Sequence, residues 1–260
     1  MIKNLAVILP ALAFLLFFAS CAAQINGSLK GDGQADLQIR AALEPRMTAL
    51  IGGLAAASGS ARTGAPILDG PAIAASMSAA PGIASVSFKN TTPSAIEGPI
   101  KIARIGDFLA PGMAAGKAAG ASSRPKKPAF IDFEQNARGG SSGGAASGGR
   151  CAINLSLDSG PEILSLISPE ISDYLAALMA PLATGEALTK AEYLALIGSV
   201  YGRAIADEIA RAFIRASIDF PGPVQSAKGG TFSGRSVDFA IPLLDIFVLE
   251  TPLSYEVVWR

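Results

Sequence analysis

Residues 25–43 read INGSLKGDGQADLQIRAAL, and this stretch decides the fold class. Ala35, Leu37, Ile39, Ala41 and Leu43 alternate with Asp36, Gln38, Arg40 and Ala42, the period-two pattern of a strand with one face turned to a core. Lys30-Gly31-Asp32-Gly33 supplies a turn before it, since Asp-Gly tolerates the positive φ that a tight hairpin demands. An antiparallel hairpin over Ile25 to Leu43 is therefore predicted. Pro45 follows at once and suits the first turn of a helix through Met47, Leu50, Ile51 and Leu54. Strands that lead directly into a helix begin an α+β pattern.

The pattern continues outward from there. A second helix is predicted over Leu68 to Ala79, stopped by Pro81-Gly82, and strands over Ile83–Phe88 and Ile100–Ile105, with Pro93, Gly98 and Pro99 as punctuation between them. Ala129 to Glu134 reads as a short strand able to pair with Cys151 to Leu157, where Cys151 shares a face with Ile153 and Leu155 as a small buried hydrophobe. Ser168-Pro169 marks a helix start, and Thr189-Lys190-Ala191-Glu192 fits a capping box. Leu194, Ile197, Tyr201, Ile205, Ile209 and Phe213 lie on one line of a helix running to about Ala216, with Arg203, Asp207, Arg211 and Arg215 on its solvated side. Gly198 and Gly202 within it predict close packing or a bend. Strands over Ile218–Phe220, Val237–Ile241 and Leu253–Trp259 end the chain, with Trp259 docked into the sheet. Residues 112–128 and 139–149 are rich in Gly, Ala and Ser and are predicted to be flexible. The expected architecture is a single α+β unit over residues 21–260: a mostly antiparallel sheet with amphipathic helices packed on one face.

Upstream, Lys3 precedes an apolar run from Leu5 to Phe18, and small residues follow around Cys21, the layout of a secretory signal peptide over residues 1–20. Three fates compete. Phe18-Ala19-Ser20-Cys21 resembles the lipobox of bacterial lipoproteins, in which the thiol is acylated and the chain is cut before the cysteine. Phe18 departs from the usual leucine in the manner of relaxed spirochaetal lipoboxes. Alternatively, an A-x-A-like site releases a soluble exported protein, or Leu5 to Ala23 stays uncut as a span, slightly short of the roughly 20 residues that a membrane helix needs. The first reading is preferred, because the only cysteine near the N-terminus falls where acylation requires it. It predicts lipid attachment at Cys21 and anchoring in the bacterial cell envelope, on the periplasmic or surface side.

Composition excludes much else. Lys plus Arg and Asp plus Glu number 21 each, so no net field recruits nucleic acid. The absence of histidine removes imidazole general bases, imidazole metal ligands and every Ser-His-Asp or Cys-His arrangement. Two cysteines cannot build a Cys/His zinc site. No catalytic, cofactor-binding or metal residues are assigned, and no cofactor is expected. Asp132 and Glu134 share a strand face and offer a carboxylate pair, which makes an exported carboxylate-based hydrolase the rival reading. Asp32 and Asp36 lack the spacing of a calcium loop and are read as turn residues.

Asp219-Phe220-Pro221-Gly222-Pro223-Val224-Gln225-Ser226-Ala227-Lys228-Gly229, followed by Gly234-Arg235-Ser236-Val237-Asp238-Phe239, resembles the turn-and-strand signature of LppM-like bacterial lipoprotein domains. The hairpin around Asp32-Gly33 is similar to their N-terminal strand pair. The resemblance covers the two ends of the mature chain and implies an α+β domain on a lipid anchor, with no catalytic residues to carry over. The expected function is that of a non-enzymatic, membrane-anchored envelope lipoprotein binding a protein partner, a lipid or another apolar ligand. A cavity lined by residues such as Leu175, Leu194 and Phe239 would favour ligand carriage.

Overall fold

The structure, a computed structural model, describes residues 21–57, 66–105, 130–135, 148–164 and 169–260. The proposed signal peptide, Ser168 and nearly all of the two Gly/Ser-rich stretches lie outside the described residues. Gly148 and Gly149 are the exceptions, and Gly149 opens a strand rather than closing a flexible segment.

Strands β1 (Cys21–Leu29) and β2 (Ala35–Ala42) form the predicted hairpin, with Ile25 opposite Ile39. Its turn works as the sequence indicates: Gly33 has φ 82°, and the Gln34 N–H donates to Asp32 Oδ1 at 3.0 Å. β1 starts at Cys21, earlier than its alternation suggests, because it is paired on both edges. On the far edge β8 (Phe213–Asp219) runs parallel to it, with Cys21 opposite Phe213 and Ile25 opposite Ala216.

With β3 (Ile83–Val86), β4 (Lys89–Thr92), β5 (Ala95–Ile102), β10 (Gly230–Ser233) and β11 (Ser236–Pro242), these strands complete the larger sheet. Its order is β10-β11-β8-β1-β2-β5-β3, with β4 also on β5. The smaller sheet has the order β6-β7-β12-β9, from β6 (Ile131–Gln135), β7 (Gly149–Leu155), β12 (Leu253–Trp259) and β9 (Val224–Lys228). Apart from the β1–β8 pair, the ladders are antiparallel. With the helices below, this is the predicted α+β class, its strands divided between two sheets.

Two sequence expectations need correction. Gly98-Pro99 does not separate strands; both residues lie inside β5. A Cβ on Gly98 would stand 1.9 Å from the Ser87 carbonyl oxygen, so glycine lets the chain between β3 and β4 press onto β5, and the Pro99 carbonyl accepts from Ser87 N–H at 3.1 Å. The single helix to Ala216 is instead two helices and a strand: α6 (Lys190–Tyr201), α7 (Arg203–Arg211), then β8. Gly202 sits between the helices at φ 92°, a conformation that an L side chain adopts only with strain.

The other helices are α1 (Pro45–Ala57), α2 (Gly70–Ser78), α3 (Gly160–Leu164), α4 (Pro169–Ala177), α5 (Pro181–Thr184) and α8 (Leu243–Val248). The Thr189–Glu192 capping box is present, each side chain bonding the other's backbone N–H. A helical core gathers Ile51, Leu178, Leu182, Tyr193, Ile197, Ile209 and Val248. Glu208 Oε2 ties α7 to α1 by accepting the Met47 N–H at 3.0 Å, one of the donors that the first turn of a helix leaves without an internal partner. A second core lies between the sheets and joins Leu29, Ala35, Ile100 and Val237 of the larger one to Val224, Val257 and Trp259 of the smaller. Trp259 is 1% exposed and packs its ring 5.0 Å from Phe220 and 6.1 Å from Phe133, so the terminal strand is docked as expected.

Candidate functional site

Strand register places Ile39, Ile25, Ala216 and Phe239 side by side across β2, β1, β8 and β11. Ala41, Ala23, Ile214 and Ile241 form the next row on the same face. This is the face that carries buried Val237 and Leu29 toward the smaller sheet. In the smaller sheet, Ile131, Ile153 and Tyr255 form a row on the face that carries Phe133, Cys151 and Val257. The two sets meet where the Phe239 and Tyr255 rings make an edge-to-face contact, centroids 5.8 Å apart at 83°.

Ile25, Ile214 and Ile241 on one sheet, and Ile131, Ile153 and Tyr255 on the other, stay partly exposed and belong to neither core. Facing β-sheets normally interdigitate their inner side chains. Between these two cores there is instead an apolar strip that the described residues do not fully cover. Tyr255 adds a polar group there. Its hydroxyl makes no hydrogen bond among the described residues, and burial, with the Asp245 charge as a smaller contribution, pushes its pKa up. Asp245 in turn is paired with Lys190 at 2.7 Å. An apolar surface with a single hydroxyl suits an apolar ligand carrying a small polar group.

The opposite face of the larger sheet is polar. Gln24, Asn26, Gln38, Arg40, Arg215, Ser217 and Asp238 alternate with the inward residues. Two-sided patterning of this kind directs apolar chemistry to the inner face only.

The remaining candidate residues fall elsewhere. Asp132 and Glu134 lie on the outer face of the smaller sheet. Asp132 Oδ2 is 2.7 Å from Arg150, whose other terminal nitrogen is 2.7 Å from Glu256 Oε2. Arg150 holds the Glu256 carboxyl below the usual carboxylate range, whereas a general acid needs its pKa raised. This grouping is an ion-pair bridge across β6, β7 and β12. No group of three His, Cys, Asp or Glu residues able to hold a metal occurs among the described residues. Leu175 and Leu194 belong to the helical core and Phe239 packs against the other, so these three do not line one cavity. Cys151 is half-buried against the inter-sheet core. The backbone of Cys21 begins β1. The strip residues of β8 went unread in the sequence because the 3.6-residue line through Ile209 and Phe213 overlaps the alternation of Ile214, Ala216 and Ile218.

No family model matches the sequence, and no curated protein is similar to it. Among solved structures, the NMR structure of the folded domain of Mycobacterium tuberculosis LppM is similar at a TM-score of 0.35 and 13% identity, over 94% of this chain and 92% of that one.

Proposed function

We propose that this chain is an exported lipoprotein of the bacterial cell envelope, attached to the membrane through Cys21, whose domain takes up a lipid or comparable apolar ligand between its two sheets. The observation that carries the ligand reading is the strip of Ile25, Ile214, Ile241, Ile131, Ile153 and Tyr255, which is apolar, lies between two well-packed cores and joins neither. Burying such a strip gains roughly 25 cal/mol for each Å² removed from water, and an acyl chain supplies the matching surface. The attachment reading is supported by the order of the N-terminal sequence, basic then apolar then Ala-Ser-Cys.

Both parts are testable on the full chain. Radiolabelled palmitate is expected in the wild type and not in Cys21→Ala; label persisting in the variant would refute the anchor. Organic extraction of the purified chain followed by mass spectrometry is expected to release a bound lipid. Ile25→Phe, which enlarges a side chain in the middle of the strip, should reduce that yield while thermal unfolding stays cooperative. A chain that releases no lipid and binds no fluorescent fatty acid would refute the ligand reading.

A further inference from the structure

The start of β1 fixes which end of the domain can face a membrane. The apolar run ends at Phe18, and β1 begins at Cys21. Three residues at full extension reach only about 11 Å. Whether the chain is held by an acylated Cys21 or by the run itself, the β1 start has no linker on which to stand away from the lipid.

What surrounds that start is suited to headgroups. Cys21 lies opposite Phe213, the first residue of β8, and only Ala212 separates Phe213 from the C-terminal end of α7. Phe213 is half-buried, and the Arg215 guanidinium stands over its ring at 5.9 Å. Arg211, in the last turn of α7, and Arg215 are both exposed and make no ion pair among the described residues. The neighbouring acids Glu208 and Glu97 are engaged, by the Met47 N–H and by Arg40 with Lys89 respectively; Glu44 and Asp207 are not ion-paired. An aromatic ring with one arginine over it and a second two residues earlier in the chain, whose Nε donates to the Asp207 carbonyl at 3.0 Å, both without an ion pair among the described residues, matches the interfacial zone of a bilayer that contains anionic lipid.

We infer that Phe213, Arg211 and Arg215 form a membrane-facing edge, so that the larger sheet stands with its β1 start in the headgroup layer and its Ser233–Ser236 turn pointing away. The inference rests on the proposed attachment near Cys21 and adds a fixed orientation to it. Six residue steps along β8 lead from Phe213 to Asp219, which is opposite Ser236, so the two ends differ in height by about 20 Å.

The test uses the full chain in vesicles of phosphatidylcholine and phosphatidylglycerol. Ala210→Cys near the edge and Ser233→Cys at the far turn, each in a Cys151→Ala background, are labelled with an environment-sensitive fluorophore, and mass spectrometry checks that one label is present. Lipid carrying a headgroup nitroxide is expected to quench the label at position 210 several-fold more than that at 233. Arg211→Glu with Arg215→Glu should shrink this difference while the protein still floats with the vesicles. Equal quenching at the two positions in a floating protein would overturn the orientation and leave the attachment standing. A chain that does not float would overturn the attachment and the orientation together.

Discussion

Gly149 lies directly beneath the Trp259 indole: a Cβ added there would stand 2.3 Å from Trp259 Cζ2 and 2.7 Å from the Glu134 carbonyl oxygen. The missing side chain is what lets the terminal tryptophan sink to 1% exposure between the sheets. Gly149→Ala must therefore displace either the indole or the β6 backbone, and overpacking of this kind costs about 3 kcal/mol. Denaturant unfolding followed by Trp259 fluorescence measures the loss directly, since this is the one tryptophan in the chain. Gly53→Ala is the control, because nothing lies within 4 Å of that position on α1. It should stabilise the domain by about 0.5–1 kcal/mol through helix propensity alone.

Tyr193 tests the helical core. It is fully buried, and its hydroxyl donates to the Leu178 carbonyl at 3.1 Å, just beyond the end of α4; Tyr201 does the same for Ala177 at 2.5 Å. Two tyrosines of α6 thus satisfy carbonyls that a helix terminus leaves open. Tyr193→Phe abandons one of them and should cost about 1–2 kcal/mol. Burial also pushes the Tyr193 pKa well up, with a smaller contribution from Tyr201. Because the folded pKa lies above the unfolded value, the stability linked to this proton is complete below about pH 10 and declines as pH rises beyond it. Alkaline unfolding monitored by circular dichroism should accordingly be less steep in Tyr193→Phe than in the wild type.

Local signals carried much of the fold into the sequence. The Asp32-Gly33 turn, the Thr189–Glu192 capping box and the alternation of Leu253 to Trp259 each depend on neighbours in the chain, and each element stands where its signal lies. Most of β8 is illegible because its strand state is conferred by β1, far earlier in the chain, while locally Phe213 extends the helical line of Ile205 and Ile209; only Ile218 and Asp219 fall within the strand predicted over Ile218–Phe220. β5 was misread for a related reason. Gly98-Pro99 normally punctuates, but here the glycine admits the Ser87 carbonyl and the Pro99 carbonyl accepts the Ser87 N–H. The apolar strip is hidden for both reasons at once, since Ile214 lies where the local pattern is helical and its two halves come together only through the packing of two sheets, at the Phe239–Tyr255 contact. Asp132 and Glu134 were visible as a pair, but the arginine that engages Asp132 comes from the next strand.

Gly202 gives the helix break a direct test. With φ 92° and no atom within 4 Å of its prospective Cβ, it is required for its backbone conformation and not for space. Gly202→Ala should cost about 1–2 kcal/mol by placing an L residue at positive φ. A d-alanine introduced there by semisynthesis should recover the loss, since its stereochemistry favours that region. A fall in the thermal midpoint for the L residue alone would separate conformational strain from steric crowding.

The Arg150 bridge sets the acid response of the smaller sheet. Arg150 contacts Asp132 and Glu256 at 2.7 Å each from the middle strand of three, and the Glu256 carboxyl is held below its ordinary range first by the Arg150 hydrogen bond. A carboxylate with a depressed folded pKa stabilises the fold above its unfolded value, near 4.3, and loses that contribution as pH falls through the folded pKa. All three side chains are about one-third or more exposed, so the contribution at neutral pH is small and screened by salt. Glu256→Gln should therefore unfold like the wild type in urea at pH 7 yet show a flatter decline in midpoint between pH 5 and pH 3. Arg150→Met should flatten the same limb further, because it releases Asp132 as well. Parallel acid limbs in wild type and both variants would show that the bridge does not set the acid response of this sheet.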